Sequence, residues 1–413
     1  MEIVPIISSL RRSKMGALVI VIQIALTMMM ISNVVSIVAS RAAYFTRPTG
    51  MQEANLFAIG WRFTKETATQ AMLETDIQSV LSVPGVVDMV STNSYPIRGH
   101  GLMMGVGLTP DEIGEHAVGG IDTVYAMDNH GVATMGLQLV TGRNFRSDEI
   151  LTGNSKPGSV PQVAIITASL ARALFGNKDA LDKVVYLTGR STSPPPPLTV
   201  VGIVKRLQGV MAAGTLDSVG SENSIILPIR TPAPNELFVV RVKAGSMESV
   251  MPVVQAALVK NNPRRIFGRL RPFSEVRASA YEKDRLITIA LIAVAAILVC
   301  IAVLCVTGLT SYWVARRRVQ IGIRRALGAT RAVIIRYFLL ENAILGLVGV
   351  GIGSAAALAV NRWLFVWYGV GGIPMLELLS CCVAIVAVGQ LAAVVPAARG
   401  AKDDPAETLR VIK

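Results

Sequence analysis

Residues 286–336 read LITIALIAVAAILVCIAVLCVTGLTSYWVA followed at once by RRRVQIGIRRALGATRAVIIR. The first part, 286–315, carries no charge, and the second carries arginines and no acid. A membrane-spanning helix needs about 20 mostly apolar residues. A charge at mid-bilayer costs about 2.5–3.5 kcal/mol on insertion scales. The run 286–315 therefore reads as a membrane helix that ends where the arginines begin.

Working outward, three more stretches have the same form. Residues 15–40 lie between Lys14 and Arg41, residues 337–361 carry only Glu341 near their start, and residues 378–398 lie between Glu377 and Arg399. The first is longer than the roughly 7–15-residue apolar core of a signal peptide and reads as a retained anchor. Composition agrees: 52% of the chain is hydrophobic and 16% charged, against roughly 25% charged in soluble domains. The four cysteines, Cys300, Cys305, Cys381 and Cys382, all fall in these apolar blocks, so no disulfide framework is expected. His100, His116 and His130 match no metal-ligand spacing, and no metal site is expected.

Lys and Arg in short loops set orientation. They cluster before the first span (Arg11, Arg12, Lys14), in 316–336, and after the fourth span (Arg399, Lys402, Arg410, Lys413), while the loop 362–377 offers only Arg362. This predicts both termini and 316–336 on the cytoplasmic side of the membrane, and 41–285 outside. The net charge is +13, but 41–285 holds 25 basic and 21 acidic residues. Most of the excess thus reports topology. No basic stripe is interleaved with aromatics, which argues against nucleic acid.

The expected organisation follows. Residues 1–14 are an amphipathic cytoplasmic segment, 15–40 the first span, 41–285 the external domain, 286–315 the second span, 316–336 a cytoplasmic loop, 337–361 the third span, 362–377 a short external loop, 378–398 the fourth span and 399–413 a cytoplasmic tail. In the external domain, 55–63 reads as a strand, 65–81 as a helix and, after Pro84-Gly85, 86–92 as a strand. Residues 236–243 are a strand, a helix capped by Ser246 runs to about Lys260, and 266–273 is a strand. These two units form one subdomain, 55–105 with 236–275. A β-rich subdomain, 106–235, is inserted between them, with strands at 163–167, 184–187, 198–204 and 225–228 and a helix ending at Phe175. The prolines 194–197 read as a stiff loop.

No ATP-binding signature is present. GLQLVTGR at 136–143 lacks the lysine and following hydroxyl of a phosphate loop. No nucleophile elbow, zinc-protease helix or paired-carboxylate set stands out, so neither catalysis nor a bound cofactor is expected. The informative motif is 316–336, where Ile321, Ile323, Ala326, Leu327 and Val333 are interleaved with arginines. Gly328 can end one short helix and Thr330 cap the next. Two readings stand: a topology signal that meets lipid phosphates, or a docking helix for a cytoplasmic partner. Gly349, Gly353 and Ala357 place small residues on one helix face, for packing within the chain or for a dimer seam. Glu341 can snorkel or pair with Arg336 or Arg325.

The chain resembles the FtsX/MacB superfamily of ABC transporter permeases. The family's segment after the second span, R-x-x-E-I-G-[IL]-R-x-A-x-G-A, stands here as Arg317, Gln320, Ile321, Gly322, Ile323, Arg324, Ala326, Gly328 and Ala329, with Arg325 beside them. FLLENAILGLVGVGIG resembles the family's third span. Its ending is matched by Pro396, Arg399, Asp404, Pro405, Glu407, Leu409 and Arg410. GLQLVTGRNF, VAIITASLARALFG and LTVVGIV resemble the external domain. The resemblance implies four transmembrane helices with a MacB-like α/β periplasmic core, and no fused ATPase domain. It implies coupling through 317–329 to a separate ABC ATPase that holds ATP and Mg. It further implies a second permease copy or paralogue, an optional periplasmic adaptor and outer-membrane channel, and contact with membrane lipids. Gln320 replaces the family's usual acid, which bears on the partner and not on the fold. A membrane sensor signalling through a partner, and an envelope enzyme, are the competing functional classes.

Overall fold

A computed structural model describes residues 14–63, 68–111, 121–156, 158–188, 195–211, 222–233, 235–326, 328–368 and 371–402. The chain divides into two compact units, Met1–Tyr44 with Asp284–Lys413, and Phe45–Lys283.

The chain begins with α1 (Lys14–Phe45) and then enters the globular unit. There β1 (Leu56–Phe63), α2 (Gln70–Leu81) and β2 (Val86–Ser91) form the first strand–helix–strand unit. The inserted part contains β3 (Leu102–Gly107), β4 (Ile121–Met127), α3 (Gly131–Met135), β5 (Leu139–Gly142), β6 (Leu151–Thr152), β7 (Val163–Thr167), α4 (Ala168–Phe175), β8 (Val184–Thr188), β9 (Pro197–Val204) and β10 (Ser224–Arg230). The second unit follows as β11 (Asn235–Val242), α5 (Met247–Asn261), β12 (Arg265–Phe267), β13 (Arg271–Pro272) and α6 (Phe273–Ala280). The chain then returns as α7 (Glu282–Arg316), α8 (Arg318–Ala326), α9 (Arg331–Tyr368) and α10 (Met375–Lys402).

The two strand–helix–strand units interleave in one antiparallel sheet of order β12-β1-β11-β2, with β13 also on β1. Thr69 starts α2 by accepting from the Met72 amide at 3.3 Å. Gly85, with φ +98°, turns the chain into β2, and a Cβ there would meet Val250 Cγ2 at 2.7 Å. Val250, Val254 and Leu258 recur every fourth residue along α5 and pack with Leu73 and Val80 of α2 against Phe57, Ile59, Phe238 and Val240 of the sheet.

The inserted strands make a second sheet of order β4-β3-β8-β9-β7-β10, and β10 pairs back onto β4. Six strands thus close on themselves, and closure removes the exposed edges. Val106, Val124, Ile166, Val200 and Ile225 fill the interior with Leu170 and Leu174 of α4.

α1, α7, α9 and α10 are long and apolar enough to cross a membrane, at Met15–Ala42, Glu282–Arg316, Arg331–Trp367 and Met375–Arg399. Gly349 and Gly353 face α1. A Cβ on Gly349 would lie 2.8 Å from Ile24 Cβ, and one on Gly353 only 2.6 Å from the Ala25 carbonyl. One turn further on, Asn33 donates to the carbonyl of the fully buried Ala357 at 3.3 Å. These small residues let the α1 and α9 backbones approach closely.

Several local expectations are corrected. The strand expected at 266–273 is two short strands, and Phe273 already opens α6. β3 begins at Leu102 and belongs to the second sheet, so a boundary at 105/106 would cut a strand. Ser246 gives no side-chain cap; its hydroxyl donates back to the Lys243 carbonyl at 2.7 Å. The helices that contain the second and third expected spans are longer than those spans, α7 beginning at Glu282 and α9 at Arg331. Backbone hydrogen bonding continues past the apolar stretch, because charged residues form helix as readily as apolar ones. Pro197 begins β9, while Pro194 lies outside the described residues, as do Arg11, Arg12, His116 and Leu327.

Candidate functional site: a short amphipathic helix and its anchors

α8 sits between two membrane-length helices and is held by one of its faces. Ile321 is buried against Val314 of α7, Ile334 and Phe338 of α9 and Ala397 of α10. Gly322 is buried beside it, while Arg318, Val319, Gln320, Ile323 and Arg324 are exposed. Gly328, with φ +96°, ends the helix, and the Ala329 amide donates to the Arg324 carbonyl at 3.0 Å. Such a left-handed C-terminal residue favours glycine. The Arg324 guanidinium stands 5.0 Å over the Tyr337 ring. Of the Arg325 and Ala326 side chains nothing is described.

The hinge between α7 and α8 is Arg317. Its guanidinium makes a forked pair with Glu341 of α9: Nη1 donates at 2.9 and 3.2 Å, and Nη2 at 3.2 Å. Glu341 is 1% exposed and Arg317 17%. The partners expected for Glu341 did not include Arg317, which forms this fork with it. The reason is geometric. The α7–α8 bend brings Arg317 back onto α9, where its fork reaches both carboxylate oxygens. One turn away, Asn342 donates to the Gly389 carbonyl at 2.9 Å and ties α9 to α10.

The tail residues divide. Pro396 is buried in α10 and Arg399 is exposed, while Asp404, Pro405, Glu407 and Arg410 lie outside the described residues.

Two clasps, which no motif or spacing foretold, mark where the chain enters and leaves the globular unit. Arg41 at the end of α1 pairs with Asp284 at the start of α7. Within the globular unit, Arg277 of α6 pairs with Glu53 at 2.6 and 3.0 Å and also donates to the Phe45 and Arg47 carbonyls. The bond to Glu53 pushes the Arg277 pKa up. Phe45 and Tyr281 meet edge to face. The two crossing strands of chain are thereby strapped together.

Among the described residues no group of His, Cys, Asp and Glu could hold a metal.

Residues 17–257 match the family described as MacB-like periplasmic core domain, and 292–405 match the FtsX-like permease C-terminal family. An uncharacterized ABC transporter permease, YknZ of Bacillus subtilis, is 24% identical over 83% of this chain and 80% of its own. The macrolide export ATP-binding/permease protein MacB of Neisseria gonorrhoeae is 23% identical over 70% of this chain, and the match spans 43% of MacB. Among solved structures, the extracellular domain of YknZ overlaps 52% of this chain and all of its own, at 16% identity and a TM-score of 0.34. The periplasmic region of MacB from Actinobacillus actinomycetemcomitans overlaps 55% and 94%, at 12% identity and a TM-score of 0.33. With a family match over more than half its length and the arginine helix lodged between membrane spans, the chain belongs to the FtsX/MacB superfamily of ABC transporter permeases.

Proposed function

We propose that this permease is the membrane subunit of an ATP-driven exporter of the mechanotransmitting kind, worked by a separate ABC ATPase that docks on α8. One observation carries the reading: α8 is gripped by the bundle through Ile321 and exposes residues on its other side. Ile321 and the Arg317–Glu341 fork fix the inner face, and Gln320, Ile323 and Arg324 stand exposed. A topology signal alone needs only the charges; it needs neither a buried isoleucine nor a helix with a defined end.

In this reading α8 and both termini are cytoplasmic, and ATP and Mg are held by the partner. Closure of the ATPase pushes α8. The push passes through Arg317 to α7 and α9. α7 and α1 act as levers, and the clasps at Arg41–Asp284 and Arg277–Glu53 let them act on the globular unit together. A second permease copy or paralogue completes the assembly, with a periplasmic adaptor and outer-membrane channel in an envelope that has them. Gln320 in place of an acid points to an ATPase whose matching surface lacks the usual cation.

The test is co-purification. The double variant Ile323→Glu with Arg324→Glu is expected to lose the ATPase while remaining folded in the membrane. If the ATPase stays bound and transport is intact, the docking role is wrong. A kinase recovered in its place would favour the sensor reading.

A further inference from the structure

The ring of inserted strands carries a carboxyl on its apolar face. Asp122 stands two residues before Val124 in β4, on the side that fills the ring, and its antiparallel partner Met104 packs against the same interior. Asp122 is 0% exposed, and among the described residues no donor completes a hydrogen bond to either of its oxygens. Of the strands around it, β3 holds no ionisable side chain. β4 otherwise holds only Tyr125, which points to the opposite face and donates to the Gln208 carbonyl at 2.7 Å. Arg230 closes the far end of β10 and is bonded to Asp128 at 3.1 Å, while Glu222, before the near end, lies 3.6 Å from both Arg47 and Arg206. An ionised carboxyl without a donor is the costliest state to bury, and protonation removes the charge. Burial accordingly pushes the Asp122 carboxyl from 3.8 up to about 7, against a pull from the neighbouring Asn223 side chain.

Asp122 adjoins the seam that closes the ring. β4 pairs with β10 from Thr123 and Ser224 onward, and the bond at that end, from the Thr123 amide to the Asn223 carbonyl, is 3.4 Å long. The outer face of the same two strands holds the segment 207–210. The Ser224 and Tyr125 hydroxyls donate to the Leu207 and Gln208 carbonyls at 3.0 and 2.7 Å, and the Val210 amide donates to the Thr123 hydroxyl at 3.2 Å. Gln208 in turn reaches the entering chain through its amide, 2.8 Å from the Thr49 carbonyl, and the leaving chain through its side chain, 3.5 Å from the Tyr281 hydroxyl. One seam thus has a buried acid inside and the link to chain entry and exit outside. We propose that Asp122 is a proton-binding site within the ring, and that losing its proton loosens the β4–β10 seam and, through 207–210, its hold on the entering and leaving chain. The anion regains water only if the end of β4 peels away from β10. The closed ring therefore binds this proton about a thousandfold more tightly than the opened strand does. Its stabilising effect is complete below 3.8, falls as pH rises and is gone above about 7. This goes beyond the ATPase-docking reading and does not depend on it.

The test is hydrogen exchange of the full-length protein in lipid nanodiscs, corrected at each pH for the intrinsic exchange rate. Protection of β4 and β10 should fall about tenfold per pH unit between about pH 5 and 7 and level off above that. Peptides covering 207–210 should follow. Asp122→Asn keeps the shape without the charge and should hold protection flat, whereas Glu236→Gln, in the other sheet, should leave the fall in place. A flat profile in wild type, or a fall that survives in Asp122→Asn, overturns the proposal. A second measurement needs no variant. In protein carrying isotope-labelled aspartate, the infrared band of a protonated aspartic acid should be present at about pH 6 and lost by about pH 8. Its absence at the lower pH overturns the proposal whether or not Asp122→Asn folds.

Discussion

Among the described residues, each unit has an arginine paired with an almost fully buried carboxylate, and two of these pairs are built differently. In the globular unit, Arg265 donates to Asp76 at 2.7 Å, with the two side chains 1% and 2% exposed. Its guanidinium lies 5.1 Å from the Trp61 ring and 5.3 Å from the Phe63 ring, and Asn261 donates to the other Asp76 oxygen at 3.0 Å. In the membrane unit, Arg317 and Glu341 form a fork at a helix junction, with the arginine still partly exposed. The first pair is walled in by a sheet, two helices and two aromatic rings. The second joins elements that meet end-on, with one partner at the edge. The same chemistry serves a core in one place and a linkage in the other, and what differs is whether the arginine has anywhere to go when its partner is lost.

Removing a carboxylate tests that difference most strongly. Asp76→Ala leaves Arg265 buried with no route to water and should cost about 3–5 kcal/mol, read as a large fall in the melting temperature of the globular unit within the full chain. Glu341→Ala strands Arg317, which can snorkel outward, so its cost should be nearer 2 kcal/mol, below the usual range for a broken buried pair. Its larger effect should be on ATPase stimulation by the permease, and the double variant Arg317→Met with Glu341→Leu should recover stability but not coupling. Equal stability losses in the two single variants would break the comparison.

A third test uses pH. Glu236 faces Trp61 across the sheet, and burial, reinforced by Asp76, pushes its pKa from 4.5 up to about 7 against the pull of the Ala233 amide and Arg265. The folded state therefore binds this proton more tightly than the unfolded chain does. The stabilisation is fully present below pH 4.5 and is lost as pH rises through about 7. Melting curves of wild type should show stability declining over that interval, and Glu236→Gln should flatten the decline. A slope unchanged in Glu236→Gln would mean another group carries it. The smallest effect belongs to Arg324→Ala, which removes a guanidinium from the Tyr337 ring at an exposed site, worth about 0.5–1 kcal/mol. Its melting temperature should barely move. A large shift would mean that the outer face of α8 is part of the anchor and not free for a partner.

How much of this was legible beforehand differs between the same two regions. Four spans were readable because a bilayer demands about 20 apolar residues in a row, and that demand is local in sequence. The strand–helix–strand units were readable from period-2 and period-3.6 patterns, although the end of the second, at 265–273, was not. β12 and β13 are too short to show a pattern, and Phe273 is as apt to open a helix as to end a strand. The family motif gave the position of α8. It did not give the inner and outer faces of that helix, because burial of Ile321 depends on Val314, Ile334, Phe338 and Ala397 arriving from three other helices.

Four apolar helices, an α/β unit between the first two, and an acid-free run of arginines at 316–336 could all be read from the residues in order. Packing in three dimensions settled the rest: Glu341 answers Arg317, Arg277 straps entry to exit, and six strands close into a ring. Local patterns follow from what one helix or strand must satisfy alone. Partners far apart along the chain are chosen by packing, which weighs every element at once.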